Sequence, residues 1–167
     1  MTPSQIRQDL CHFGEFGQQG YGYVVADLRN EIAHILGIDG SRHMVMIGAG
    51  NLGHALLQNF NFSDAGFSMD AAFDVSPSVI GTTINGVPVY SKDTMDTYFH
   101  QNQVDVVALT IPQDVVQETV NHLIDMGIRF FWNFTSVEFT TSNPGVIFEN
   151  IHFADSLLRL SYQITNH

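Results

Sequence analysis

The chain has 167 residues, room for one domain with a real core and a small appendage. Hydrophobic residues make up 44% and charged residues 14%, with six Lys+Arg against 17 Asp+Glu and a net charge of −11. That balance argues against a basic nucleic-acid footprint. The single Cys11 excludes an internal disulfide framework, and no apolar run has the length of a membrane span or the layout of a signal peptide.

A reducing cytoplasm is therefore the expected compartment. The eight histidines are scattered without a pair at helical spacing, so no metal site is expected. The apolar composition with few charges suggests an oligomer. The sequon Asn133-Phe134-Thr135 carries no meaning without secretion.

In chain order, residues 4–13, "SQIRQDLCHF", read as a helix with Ser4 as N-cap. "GEFGQQGYGY" over 14–23 reads as a glycine- and aromatic-rich ribbon or wing. Residues 25–36 space Val25, Leu28, Ile32 and Ile35 at a helical period, and Gly37 and Gly40 make a linker after them. From His43 the pattern changes. Short apolar strands ("HMVMI", "MDAAFDV", "VPVY", "VDVVALTI", "RFFWNF", "GVIFEN") alternate with helices ("NLGHALLQNF", "DTMDTYFHQN", "QDVVQETVNHLIDMG", "FADSLLRLSYQI"). Alternation of nearly all-apolar strands with helices predicts an α/β, doubly wound parallel sheet of Rossmann type, with every strand's C-terminal end on one edge.

The stretch "VMIGAGNLG", residues 45–53, places Gly48, Gly50 and Gly53 behind a strand and at the start of a helix. Gly48 allows the tight turn, Gly50 lets the backbone approach a pyrophosphate, and Gly53 lets the helix pack close on the strand. The helix N-terminus offers unpaired N–H groups and a positive dipole end to phosphate. Asp74 follows 21 residues after Gly53 at the end of the second strand. A carboxylate there accepts ribose hydroxyls and repels a 2′-phosphate, and "VSPSV" after it carries no Arg or Lys, which selects NAD(H) over NADP(H). A tight turn that binds nothing, or one that takes the adenine nucleotide of coenzyme A, stays open as an alternative.

No catalytic residue is expected. The only lysine is Lys92 with Pro88 four residues before it, which rules out a Tyr-x-x-x-Lys pair. The strand-end loops "TIPQD" (110–114) and "NFTSV" (133–137) hold no His, and Asp114 serves the start of its own helix. His54, in the first helix of the glycine loop, either reaches the pyrophosphate or is a surface residue. Binding without turnover is the favoured reading.

The segments "SQIRQDLCHFGEFGQQGYGY", "GAGNLGHALL", "AFDVSPSVIGTTINGVPVY", "TIPQDVVQETVNHLIDMGI" and "NFTSVEF" together resemble Rex, the bacterial redox-sensing transcriptional repressor family, from Ser4 to Tyr162. The resemblance implies a homodimer of subunits that join an N-terminal winged helix to a Rossmann domain, with a C-terminal helix exchanged between subunits. It implies that NADH closes the dimer and releases operator DNA, that NAD⁺ competes without doing so effectively, and that no hydride is transferred. Carried over by position, Gly48, Ala49, Gly50, Asn51, Leu52 and Gly53 hold the pyrophosphate, and Asp74 with Val75 holds the adenosine ribose. Thr110, Ile111 and Pro112, with Asn133 and Phe134, line the nicotinamide side. Phe153, at the start of the exchanged helix, reaches the partner's nicotinamide or serves as a dimer-core aromatic.

The same comparison implies that the first helices of the winged-helix domain are absent, leaving a partial DNA-binding region over 1–40, the NAD(H)-binding domain over 41–150 and a dimerisation helix over 151–167. The family's DNA-contact positions fall on Ser4, Gln5, Arg7, Gln18, Gln19 and Tyr21, of which only Arg7 is basic. Weak DNA binding is the expectation for this chain. The positions matching the family's cofactor-coupled Tyr and Asp are Asn59 and His152, which implies altered coupling. Two other functions stay open: an NAD-binding protein that acts through a protein partner without DNA, and a small NAD-dependent oxidoreductase. The final helix adds a prediction from spacing alone. Phe153, Leu157, Leu160 and Ile164 make one apolar stripe, widened by Leu158 and Tyr162, that exceeds what one sheet face needs.

Overall fold

The computed structural model describes residues 25–36, 41–140 and 143–166. The expected helix over 4–13, the ribbon over 14–23 and the candidate DNA contacts Ser4, Gln5, Arg7, Gln18, Gln19 and Tyr21 lie outside the described residues. The chain divides into two compact units, Met1–Ser41 with Phe62–Phe67, and Arg42–Asn61 with Ser68–His167. In the first, helix α1 (Val25–Leu36) carries Asp27 in its first turn and His34 in its last, each matched to the helix dipole.

The second unit is built around a sheet in the order β3-β4-β2-β1-β5-β6-β7. Its strands are β1 (Arg42–Ile47), β2 (Phe67–Asp74), β3 (Thr83–Ile84), β4 (Val87–Ser91), β5 (Val106–Leu109), β6 (Phe130–Asn133) and β7 (Ile147–Asn150). The intervening helices are α2 (Asn51–Asn59), α3 (Met95–Gln101), α4 (Gln113–Asp125) and α5 (Phe153–Thr165). β1 pairs β5 in parallel with Ile47 opposite Leu109, and β5 pairs β6 with Leu109 opposite Asn133. The chain winds one way from β1 through β2 and the other way from β5, so the order reverses at the β1/β5 boundary. That is the place where open α/β sheets bind ligands.

Strand and helix positions follow the sequence reading closely, with two corrections. The sheet is not wholly parallel, because β3 pairs antiparallel with β4. The residues between them are Asn85 and Gly86, both at positive φ (48° and 83°), the backbone of a two-residue hairpin turn. A two-residue strand has no readable alternation, but its Asn-Gly dipeptide was a usable signal. The second correction concerns "RFFWNF", whose nearly all-apolar sequence reads as a buried strand. Phe131 is buried and stacks on Phe148 at 4.8 Å. On the opposite face Phe130 and its registered neighbour Ile147 are 47% and 58% exposed.

The covered face carries the core. Val45, Ile47, Val107, Leu109 and Phe131 of the sheet pack with Met95 of α3 and with Val116, Val120 and Leu123 of α4. Gly127 ends α4 at φ 101°, where Ile128 N–H donates to Leu123 O and Gly127 N–H to Ile124 O, each at 3.0 Å. At the sheet edge away from the glycine loop, His43 Nδ1 meets Asp70 Oδ2 at 2.6 Å and His43 N–H donates to Asp105 Oδ2 at 2.8 Å. Partial burial pushes the Asp105 carboxyl up, but hydrogen bonds from Gln103 and the His43 amide, with the nearby charge of His43 and Arg42, hold it below the usual carboxylate range. Burial, and secondarily Asp70 and Tyr90, raise the Tyr98 phenol.

Candidate functional site

Three backbones meet where β1 turns into α2. A Cβ on Gly53 would lie 2.2 Å from Gly48 O and 2.9 Å from Thr110 Oγ1. A Cβ on Gly48 would lie 2.5 Å from Thr110 O, and Gly48 sits at φ 101° besides. Neither position admits a side chain. Gly50 differs: nothing lies within 4 Å of its Cβ position, so its freedom is not used by the protein's own packing. That open space lies at the N-terminus of α2, where Gly50 is the N-cap and no side chain caps the helix. The first turn of α2 holds no acidic residue, so its amides and dipole face the opening unopposed.

The loop is braced from two neighbouring strands. Asp74 Oδ2 accepts from Ala49 N–H at 2.6 Å, and Asp74 Oδ1 accepts from Ser76 N–H at 2.7 Å. Gly48 N–H donates to Phe73 O at 2.7 Å. From β5, Thr110 Oγ1 donates to Gly48 O at 2.7 Å, and Thr110 N–H donates to Ile47 O at 3.0 Å. A carboxylate group has about four acceptor positions, so these two bonds leave Asp74 about two more on the side of the opening. The sequence reading gave Asp74 and Thr110 to a ligand and did not foresee that both also shape the loop. The spacing of Asp74 was legible; the bonds to Ala49 and Ser76 depend on the sheet order.

Across the β1/β5 boundary stand the residues expected on the nicotinamide side. Ile111 is half-buried and Pro112, the N-cap of α4, is exposed. Phe134 is half-buried, with its ring 4.4 Å edge-on from that of Trp132 and 6.3 Å from Phe153. Trp132 also meets Phe60 at the end of α2, 5.7 Å between rings. Asn133 is 1% exposed and its amide is fully occupied within the protein. Its Nδ2 donates to Val137 O at 2.7 Å and to Asn150 Oδ1 at 2.8 Å, and its Oδ1 accepts from Thr135 N and Oγ1 at 3.0 and 2.7 Å. Asn150, on β7, did not figure in the sequence reading.

The remaining candidates are placed as follows. Asn51, Leu52 and Val75 are exposed at the rim, and Ala49 is buried beneath it. His54 is exposed one turn into α2. Asp114 lies in the first turn of α4 and makes no side-chain cap. Asn59 Nδ2 closes a bond to its own helix at Ala55 O, and His152 is the exposed N-cap of α5. Phe153 is 59% exposed. Among the described residues no group of His, Cys, Asp and Glu is arranged to hold a metal ion, and no helix is long and apolar enough to cross a membrane.

A family model described as a CoA binding domain matches residues 39–137. The redox-sensing transcriptional repressor Rex of Thermoanaerobacter sp. strain X514 is 42% identical over 98% of this chain and 73% of its own length. That of Clostridioides difficile strain 630 is 44% identical over 96% of this chain and 76% of its own. This chain belongs to the Rex family. Among solved structures it is similar to RSP, a Rex-family repressor. RSP in complex with β-NAD⁺ and operator DNA matches at 41% identity with a TM-score of 0.79, covering 99% of this chain and 76% of that one. RSP in complex with β-NADH matches at 37% identity with a TM-score of 0.78. The Rex relatives are repressors rather than enzymes, which sets aside the oxidoreductase reading.

The contrast among the three glycines is directly testable. Gly53→Ala is expected to lower the melting temperature by roughly 5 °C or more, the shift that about 2 kcal/mol produces in a chain of this size. Gly50→Ala leaves it unchanged, because its Cβ meets nothing. Thermal denaturation followed by circular dichroism checks the pair; equal melting points would contradict the assignment of separate roles.

Proposed function

We propose that this chain is an NAD(H)-binding redox sensor of the Rex type, in which cofactor binding governs a regulatory output without hydride transfer. The observation that carries the reading is the open, uncapped α2 N-terminus at Gly50 with the Asp74 carboxylate beside it. A pyrophosphate on the Gly48–Gly53 loop places one nucleotide toward β2 and Asp74. The other then lies across the sheet boundary toward Thr110, Ile111, Pro112 and Phe134. The loops there carry no His, and Asp114 is an exposed first-turn residue of α4, which favours binding without proton transfer. Asn133 supports this site by shaping its loop rather than by presenting its amide. Such a sensor acts in the cytoplasm, where the nucleotide pool is.

The output of Rex relatives includes operator DNA, as in the RSP complex. In this chain the matching segment carries Arg7 as the lone Arg or Lys over residues 1–23, within a net charge of −11. That acidity favours, as a second reading, an output through a protein partner.

The assembly we infer is a homodimer. α5 has no buried residue, and Phe153, Leu157, Leu160 and Ile164 line one exposed stripe. The same unit leaves Phe130 and Ile147 bare on one sheet face. A donor stripe and an apolar acceptor on one chain are both satisfied when two copies exchange helices. Burying four such side chains contributes roughly 6–12 kcal/mol per helix before association costs.

Two measurements test these readings. Calorimetry is expected to show NADH bound at least tenfold more tightly than NADPH. Asp74→Ala should bring the two close together while weakening NADH by about 1–3 kcal/mol, since a charge-assisted hydrogen bond and a loop brace go together. Equal affinities in the unmutated protein would overturn the role of Asp74. Light scattering is expected to find a dimer, and deletion of residues 151–167 to give aggregates; a stable monomer in both cases would remove the dimer and Phe153 as a cross-subunit contact.

A further inference from the structure

The loop that carries Phe134 is tied to β5 by Phe134 N–H donating to Leu109 O at 3.0 Å and to α4 by Ser136 Oγ at Gln113 Oε1, 3.1 Å, and two asparagines hold its middle and its far end. Asn133 and Asn150 are direct partners in the β6/β7 register. Asn150 Oδ1 accepts from Asn133 Nδ2 at 2.8 Å and from Phe139 N–H at 3.4 Å, and Asn150 Nδ2 donates to Phe139 O at 3.1 Å. Asn150 thus grips both backbone groups of the residue that closes the 134–139 loop, while Asn133 grips the loop's middle at Thr135 and Val137. Phe139 adds a stacked contact with Phe148 at 4.8 Å. The same pair reaches the start of the C-terminal helix. Ile151 N–H donates to Asn133 O at 2.8 Å, and Phe153 opens α5 two residues later, its ring beside that of Phe134.

We propose that Asn150 is a positioning residue for the nicotinamide half of the site: through Asn133 and Phe139 it fixes the Phe134 loop and the root of α5 as one piece. A part-buried amide pair is suited to this because its bonds are directional and the reduced dielectric around the buried Asn133 strengthens them, whereas apolar packing alone tolerates sliding. Occupancy of the crevice at Phe134 then shifts the placement of α5, and the adenosine half, held by the glycine loop and Asp74, is indifferent to Asn150. The inference rests on the NAD(H) reading given above.

The experiment compares two ligands on the full chain. In the unmutated protein both NADH and ADP-ribose bind. Asn150→Ala removes three side-chain hydrogen bonds, leaves Asn133 bonded to Val137 and Thr135, and is expected to weaken NADH about tenfold, since only part of their loss is felt at the crevice. ADP-ribose affinity stays within twofold. Asn150→Asp, which sets a carboxylate oxygen against Phe139 O where the amide donated, weakens NADH at least as much. Hydrogen exchange at the first-turn amides of α5 slows on NADH binding in the unmutated protein and not in Asn150→Ala. Equal loss of both ligands in either variant, or no loss of either in Asn150→Ala, would overturn the positioning role. Failure of the unmutated protein to bind either ligand would overturn the NAD(H) reading and this inference with it.

Discussion

The whole site depends on one steric constraint, the approach of the β1–α2 turn to itself and to Thr110. Gly53, Gly48 and the Thr110 main chain occupy a volume in which no Cβ fits at either glycine. That approach seats α2 directly against the strand end, which aims its uncapped N-terminus at the crevice. It also brings Ala49 N–H onto Asp74 and Gly48 O onto Thr110 Oγ1, so strands on both sides of β1 hold the loop. Pre-organisation of this kind matters for a sensor, because backbone amides fixed before the ligand arrives cost no ordering on binding. Gly50, the glycine with space around it, is the one we assign to the ligand.

A sensor also needs a part that responds. The β6–β7 end of the sheet is the place we assign to it, because apolar residues of its own unit stand exposed there. Phe130 and Ile147 are left open, and α5 carries an apolar stripe that its own unit does not bury. The aromatic run Phe60, Trp132, Phe134 and Phe153 leads from α2 across the strand ends to the root of α5. The crevice beside the glycine loop and the apolar stripe of α5 are therefore neighbours, joined by packed rings and by the Asn133–Asn150 pair.

Much of this was legible in the residues. Glycine spacing and the strand before it marked the close-packed β1–α2 turn, because close backbone approach leaves a signature that no other residue type can write. The stripe on α5 was legible for the same reason, being a periodicity within one helix. The braces were not. Thr110, Asn133 and Asn150 acquire their partners only when strands far apart in sequence lie side by side, and a polar residue at a strand end reads equally as ligand contact or loop support. The open face of β6 was hidden because its alternate residues Phe130, Trp132 and Phe134 are all aromatic, which reads as a buried face. The short β3 was announced by Asn85-Gly86 yet carried too few residues to show a strand's alternation.

The most direct test uses the single tryptophan. Trp132 lies edge-on to Phe134, on the side of the crevice assigned to the nicotinamide. Titration with NADH, exciting the indole and recording both indole and dihydronicotinamide emission, is predicted to give saturable quenching of Trp132 with matching sensitised emission. NAD⁺ reverses it by competition and coenzyme A does not. Absence of energy transfer at saturating NADH, or displacement by coenzyme A, would contradict the account.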